Sequence, residues 1–335
     1  IVTRQRSLAL GGNSRREHFP TKETCIDYVN DIDGPETCNT YNMLKLTEDL
    51  NRVNHQGMYG DFYETAIFNH ILSAQHPEHG GYVYFTSARP RHYRNYSAPN
   101  KAMWCCVGTG MEDHGKYGQF IWTHDKGMKT EDDALYVNLF VASELNWKER
   151  KMVLRQQTAF PYAETSNIEV TKGKGVFTLK IRKPLWCDNF TVKGVGFVVD
   201  CYEENGFVCI KRKWKKGDQV EISMPMHASI KPMINVPQYV AIMYGPILLG
   251  MKSGTEDMRS LIADDSRFGQ YAAGMKLPLD KAPILLPKHL NDIAKDLKPI
   301  PDKPLHFKLA THMENVINGE LQPFFEIHDS RYMMY

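Results

Sequence analysis

The sequence predicts a multidomain protein of mixed α and β content, with a helical first third, then an antiparallel β-sandwich, then a C-terminal segment. Apolar residues recur with a helical period in three stretches between Glu36 and Trp122. From Ala134 to Met243 the period changes to two, in short segments punctuated by Gly, Asn and Asp. A length of 335 residues exceeds one ordinary domain and suits two or three, each able to bury its own core. The expected division is 1–130, 131–250 and 251–335, with the last segment packing back as strands on the sandwich or on the helical part.

Taken in order, residues 1 to 34 read as a loop-rich entry. Gly11-Gly12-Asn13-Ser14 permits a sharp turn, which would present Glu17 and His18 from a loop instead of hiding them in a core. Pro35 then suits a helix start, placing Glu36 and Cys38 in the first turn of a helix that runs to Val53, with Met43, Leu46, Leu50 and Val53 on its apolar stripe and Tyr41 and Leu44 widening it. A second helix is expected over Tyr59–Ile71 and a third over Gly110–Trp122. Between these two lies a stretch rich in Gly, aromatics and Arg, including Tyr84, His92 and Tyr93. Such mixtures suit sugar rings, which offer both apolar CH patches and hydroxyls, and they equally suit the packing of a long loop.

Strand candidates follow at Ala134–Ala142, Asn167–Thr171, Gly175–Arg182, Thr191–Lys193, Gly206–Lys211, Asp218–Met224 and Tyr239–Met243. Beyond Gly250 the chain turns Pro- and Lys-rich, with a short helical pattern over Lys288–Leu297 and a strand-like Leu305–Leu309. The start at Ile1-Val2-Thr3, without Met, reads as the interior of a longer protein, so localisation signals are expected outside it.

Composition narrows the partners. Apolar content of 42% and charged content of 24% are ordinary for a globular protein. A net charge of +2, with no Lys/Arg block, argues against nucleic acid or an anionic membrane surface. The longest apolar run, Tyr239–Gly250, is broken by Gly245-Pro246 and is too short for the roughly 20 residues of a membrane span. Oligomeric state is not legible.

Seven cysteines fall into two groups. Cys187, Cys201 and Cys209 lie in strand-like sequence, where Glu203-Glu204-Asn205-Gly206 signals a hairpin between the last two. In the helical third, Glu36-x-Cys38 and the adjacent pair Cys105-Cys106 offer four ligands that could close a tetrahedral zinc site. A second reading stands beside it: two small buried hydrophobes, and a helix N-terminal carboxylate next to a core cysteine. His70 and His114, on apolar helical faces, read as core histidines rather than ligands.

The segments Gly11–Ser14 with Glu17-His18-Phe19, Gly34–Thr47, Asp61–Glu78, Trp104–Glu112 and Phe325–Tyr332 resemble the β-L-arabinofuranosidases of glycoside hydrolase family 127 and its sister family 146. The resemblance implies the C-terminal part of an (α/α)6 barrel followed by β-sandwich, jelly-roll-like domains, acting on an oligo- or polysaccharide. It implies zinc held by Glu36, Cys38, Cys105 and Cys106, with Cys105 as nucleophile and Glu17 as general acid/base. His18, Tyr84, His92, Tyr93 and Trp104 are candidates for sugar contact, and a periplasmic or secreted setting would suit a plant glycan. Two alternatives use the same residues differently. A carbohydrate-binding protein with an inert zinc site would not need Glu17, and a glycosidase working through carboxylates such as Glu17 and Glu112 would not need the thiolate.

Overall fold

Pro35 closes the entry loop, and two residues later the chain turns into the helix Thr37–Val53. Glu36 stands at its N-cap, where its carbonyl accepts the N–H of Thr40 at 3.3 Å. The structure, a computed structural model, describes residues 1–335 apart from 267, 287–289, 291–292, 310–312 and 317–318. The chain divides into two units, one of Ile1–Leu46, Thr65–His114 and His227–Tyr335, the other of Thr47–Glu64 and Gly115–Met226.

The expected helices form, with two corrections. In the first, the buried face carries Cys38, Tyr41, Leu44, Glu48 and Asn51, while Leu46, Leu50 and Val53 are exposed. Hydrophobicity alone misjudged the stripe because the buried polar residues have partners: Tyr63 donates to Glu48 at 2.9 Å, and Asn51 bonds His55 at 3.0 Å. The second helix, Gly57–Ala66, continues into one wide π-turn at Ile67–Ile71. The third spans Cys105–Lys116, not Gly110–Trp122, and Trp122–Asp125 is a strand. Its glycines at 108 and 110 masked an N-terminus that lies at the cysteine pair itself.

In the first unit, a sheet runs in the order Ala228–Met233, Val236–Tyr244, Ile247–Lys252, Glu320–Pro323, Phe307–Lys308 and Lys298–Pro299, with Tyr332–Met333 also paired to Ile247–Lys252. One core joins N-terminal Leu8, Leu10, Tyr28 and Val29 to Met243, Leu248, Phe324 and Tyr335 of the C-terminal segment. The hydroxyl of Tyr335 accepts the N–H of Ala9 at 2.5 Å. Fully buried Arg331 spreads its donors over the carbonyls of Arg91, Glu256, Asp257 and Met275 at 2.5–3.1 Å, fixing the loop that enters the cavity described below. Of the helix expected over Lys288–Leu297, residues 288–289 and 291–292 lie outside the described residues, and Ile293–Asp296 forms one turn.

The second unit holds two five-stranded sheets. One runs Trp122–Asp125, Ala134–Val137, Lys174–Arg182, Phe207–Lys215, Tyr202–Glu204; the other Ser143–Trp147, Met152–Thr158, Thr165–Lys172, Gln219–Ser223, Thr191–Gly194. Ladders are antiparallel among the described residues except for Ala134–Val137 against Lys174–Arg182. Buried Arg182 bridges Asp61 at 2.6 Å and Glu64 at 2.5 Å, anchoring the second helix within this unit. The Asn205-Gly206 hairpin forms as expected, both residues at positive φ. Tyr202, not Cys201, stands opposite Cys209, so the two thiols lie on opposite faces and remain free.

Candidate active site and metal centre

Residues 34–37 lie alongside residues 84–86, with Thr37 N–H bonding the carbonyl of Tyr84 and Thr86 N–H that of Pro35, both at 3.0 Å. The approach demands glycine at 34, where a Cβ would sit 1.7 Å from the carbonyl oxygen of Thr86. Glu36, whose N–H bonds Ser14 Oγ at 3.0 Å, and Tyr84 are thereby fixed on neighbouring strands of chain. Cys38 lies in the first turn of its helix, and Cys105 and Cys106 open another. Both helices thus turn their positive ends toward the sulfurs, which favours thiolate.

These four residues converge. One ligand atom from each of Glu36, Cys38, Cys105 and Cys106 falls within 4.8 Å of the others. Cys105 Sγ lies 4.0 Å from Cys106 Sγ and 3.6 Å from Glu36 Oε1, and Cys106 Sγ lies 3.9 Å from that oxygen. A tetrahedral ion bound at about 2.3 Å to sulfur and about 2.0 Å to oxygen needs ligand edges of roughly 3.5–3.8 Å. The cluster meets that requirement with sub-ångström adjustment. Burial, then the neighbouring Cys105 and Glu17, push the Glu36 carboxyl up to about 7. The hydrogen bond from Cys106, aided by Tyr84, holds Cys105 down at about 5 against its burial, while burial and Cys105 drive Cys106 well up. Without a cation the cluster therefore carries its negative charge on Cys105 and keeps the deeper thiol protonated. Glu36, Cys38 and Cys106 are buried; Cys105 is the exposed member.

Cys105 opens into a cavity of about 640 Å³, inside the range of small-ligand sites. Glu17, Tyr84 and Trp104 line it as well. The Tyr84 hydroxyl donates to the Glu17 carboxylate and lies 3.5 Å from Cys105 Sγ. Sulfur and carboxylate are thus no farther apart than two hydrogen bonds, the scale of the roughly 5–5.5 Å between retaining catalytic pairs.

Glu17 is delivered by a strained turn. Arg15 and His18 exchange backbone hydrogen bonds at 2.8 and 3.0 Å, and between them Arg16 and Glu17 adopt φ of 47° and 64°. Two successive left-handed residues are the signature of a type I′ turn, which ordinarily takes Asn-Gly. Here ion pairs hold it: Arg15 to Asp27 and Asp31 at 3.0 and 2.8 Å, Arg16 to Asp33 and Asp31 at 2.8 and 3.1 Å.

Three expected sugar contacts are not brought into this cavity. His18 is exposed beyond the turn, its Nδ1 2.5 Å from the carbonyl oxygen of Arg16. His92 is fully buried with Nε2 3.0 Å from the carbonyl of Ala272, and Tyr93 donates to the carbonyl of Arg259 while accepting the N–H of Gly274 at 2.7 Å. His92 Nε2 and the Tyr93 hydroxyl are thus taken up by loop backbone. Glu112 accepts a hydrogen bond from Tyr41 and is not among the cavity-lining residues. His70 is buried against Thr40 at 2.8 Å and stands outside the metal cluster. Sequence reasoning missed Lys101 and Met103 and, more consequentially, Asp265, Ser266, Phe268, Gln270 and Tyr271 from the C-terminal segment. Two aromatics beside a glycine were the available signal, too common to single out.

Residues 1–119 match the catalytic domain of the GH127 β-L-arabinofuranosidases, and residues 134–226 match the middle domain of the same family. Together these two matches cover more than half of the chain. The chain belongs to glycoside hydrolase family 127. A third match, over residues 229–335, is to a domain of unknown function. Among solved structures, the GH127 chain is similar to a GH127 β-arabinofuranosidase at TM-score 0.69 and 18% identity, covering 99% of this chain and 54% of that one. It is similar also to a GH127 β-L-arabinofuranosidase from Geobacillus stearothermophilus T6, at TM-score 0.67 and 20% identity, covering 99% and 54%. A third structure, a glycoside hydrolase, aligns at TM-score 0.68 and 18% identity, covering 100% and 60%. At these identities the likeness is one of fold, and the chain spans between half and two thirds of those structures' length. No curated protein matches. Within this GH127 chain, Glu17, Tyr84, Trp104 and Cys105 come from the catalytic match, and Asp265, Ser266, Phe268, Gln270 and Tyr271 from the domain of unknown function.

Proposed function

We propose that the protein is a retaining glycoside hydrolase that releases β-L-arabinofuranose from an oligo- or polysaccharide, with Cys105 as nucleophile and Glu17 as general acid/base. The observation that carries this reading is the exposure of Cys105 alone, out of an otherwise buried four-ligand cluster, into a cavity that also holds Glu17. An inert structural site would have no need to turn one sulfur toward a cavity or to link it through Tyr84 to a carboxylate.

The ligand set of three sulfurs and one carboxylate oxygen suits zinc, by its softness and by the tetrahedral edges given above. When bound, zinc would keep the cluster deprotonated at neutral pH and hold Cys105 as a thiolate. In the first half-reaction the Cys105 sulfur attacks the anomeric carbon. The carbon–oxygen bond breaks, and the leaving oxygen takes the proton of Glu17. In the second, the Glu17 carboxylate takes a proton from water, whose oxygen attacks the same carbon and displaces the sulfur. Two inversions give net retention. Tyr84 holds the two groups in register, and Trp104 offers an indole face to the sugar.

The same reading takes the helices of residues 1–130 as the C-terminal part of an (α/α)6 barrel and residues 131–250, which supply all but the Trp122–Asp125 strand of the two five-stranded sheets, as a jelly-roll sandwich. Residues 251–335 then form a third segment that packs back on the barrel part, which agrees with the core shared by Leu8, Tyr28 and Phe324. The test is to purify the protein, measure bound metal, and assay p-nitrophenyl β-L-arabinofuranoside with and without chelator. About one zinc per chain and chelator-sensitive release support the reading. A folded, freshly purified protein without metal overturns it.

A further inference from the structure

Asp265, Ser266, Phe268, Gln270 and Tyr271, from a domain to which no function is attached, line the cavity together with Glu17. The backbone around these residues is held at two points. Tyr96 and Ile262 form a parallel bridge, with Tyr96 N–H on the carbonyl of Leu261 and Ala263 N–H on that of Tyr96, both at 2.8 Å. Ala263 is buried in one cluster with Cys38, Trp104 and Cys106, so the loop shares a core with the metal ligands themselves. Asn95 Nδ2 holds the carbonyl of Gly269 at 2.7 Å.

What the loop shows to the cavity has the chemistry of a carbohydrate subsite. Phe268 is 75% exposed although it lines a concave surface, and the half-exposed Tyr271 has its ring centroid 5.3 Å from that of Phe85. Exposed aromatic faces are what the CH patches of a sugar ring stack on. Gln270 lines the cavity beside these rings, and an amide side chain is a hydrogen-bonding partner for sugar hydroxyls. Placement gives the subsite its identity. The general acid must lie against the leaving oxygen, so the surface next to Glu17 meets the group that departs, not the sugar that stays on Cys105. Tyr271 lies close enough to Glu17 for the two to interact electrostatically.

We infer that Phe268, Gln270 and Tyr271 form the leaving-group subsite, with Phe268 and Tyr271 as the stacking platform for the sugar released first and Gln270 as its hydrogen-bond partner. The inference rests on the activity proposed above and extends it to a domain outside the catalytic match. The loop thereby determines specificity: it selects which glycan is cut, while Cys105 and Glu17 supply the cutting.

The test compares the parent protein with Phe268→Ala and Gln270→Ala on two substrates, methyl β-L-arabinofuranoside, whose leaving group has no ring to stack, and a β-L-arabinofuranosyl disaccharide. For Phe268→Ala the ratio of kcat/KM on the disaccharide to that on the methyl glycoside falls roughly five- to tenfold, the loss residing mainly in KM. Gln270→Ala lowers the same ratio by a smaller factor. An unchanged ratio in both variants, with thermal melts showing intact folds, overturns the inference. Calorimetric titration of the disaccharide, run in parallel, separates this failure from that of the activity. If the parent cleaves neither substrate, the activity reading falls. The subsite then stands only if Phe268→Ala still weakens disaccharide binding several-fold, and it falls with the activity if binding is absent or unaltered.

Discussion

The two sides of the cavity are built on opposite electrostatic principles. On the side of the cysteine pair, ionisable groups are buried among one another: burial raises the Glu36 carboxyl to about 7, and burial with the neighbouring Glu112 raises Asp113 to about 7. On the side of residues 257–271, Asp257 and Asp264 are held below the ordinary range, Asp257 by the N–H of Met275 and by Arg259, Asp264 by hydrogen bonds from Ser266. The first arrangement costs stability and creates reactivity. The second is a loop folded by its own turn chemistry, and it can present exposed rings at little cost. On the proposed roles, chemistry and selectivity are separable properties of one cavity, and substitutions on the two sides should affect different observables.

The largest effect that tests this division comes from Cys105→Ser. A hydroxyl keeps the volume but not the nucleophilicity or the metal affinity of a thiolate, so turnover on every arabinofuranoside is expected to fall by at least about 10³-fold. Steady-state kinetics on an aryl and an alkyl glycoside check it, with circular dichroism to verify the fold. Activity persisting within tenfold would move the nucleophile elsewhere. Next comes Glu17→Gln, for which kcat is expected to drop about 10²–10⁴-fold, most steeply for leaving groups that need protonation. If the losses for p-nitrophenyl and methyl glycosides are equal, Glu17 does not act as the acid.

A smaller loss is expected from the turn beneath Glu17. Arg15 bridges Asp27 and Asp31 and so holds two left-handed residues that no glycine relieves. With Arg15→Ala the carboxylate loses its fixed position, and kcat should fall about 10- to 100-fold while KM changes little. Arg15→Lys should restore only part, since an ammonium cannot fork across two carboxylates as a guanidinium does. Equal changes in kcat and KM across the pair would mean that the turn holds substrate rather than the acid.

The same contrast explains what could be read before the fold was known. Glu36-x-Cys38 and Cys105-Cys106 were legible because soft ligands in tight spacing have few other uses, and because Pro35 signals the helix start that carries the first pair. The strands of the second unit were legible from their alternation, yet Ser143–Trp147 and Met152–Thr158 were passed over, their exposed faces being mainly polar. His92 and Tyr93 matched the composition of a sugar site but serve loop backbone from inside the core. Phe268 and Tyr271 became cavity residues only through contacts between segments more than 150 residues apart, such as Tyr96 with Ile262. No periodicity in a single sequence encodes a pairing of that range. The strained turn at Glu17 was equally silent, since Arg and Glu are poor residues for left-handed backbone, and their use there is legible only with the Asp27, Asp31 and Asp33 clamp in view.

The smallest expected effect is thermodynamic and concerns Asp113, on the helix that carries the cysteine pair. Its Oδ1 is buried without a hydrogen-bond partner. Because burial raises this carboxyl to about 7 from an ordinary 3.8, the folded state binds its proton more tightly than the unfolded chain does. Its contribution to stability is therefore fully present below pH ~3.8 and is lost as the pH rises through about 7. Asp113→Asn removes the ionisation while keeping the shape, so the variant should be more stable than the parent at pH 8, by on the order of 1–3 kcal/mol. Below pH ~4 the advantage should vanish, since the parent's carboxyl is then neutral as well. Thermal melts of both proteins across that interval check the sign. A difference that does not change with pH would mean that folding leaves the Asp113 pKa where it is in the unfolded chain, and that the helix of the cysteine pair accommodates this carboxylate without holding its proton.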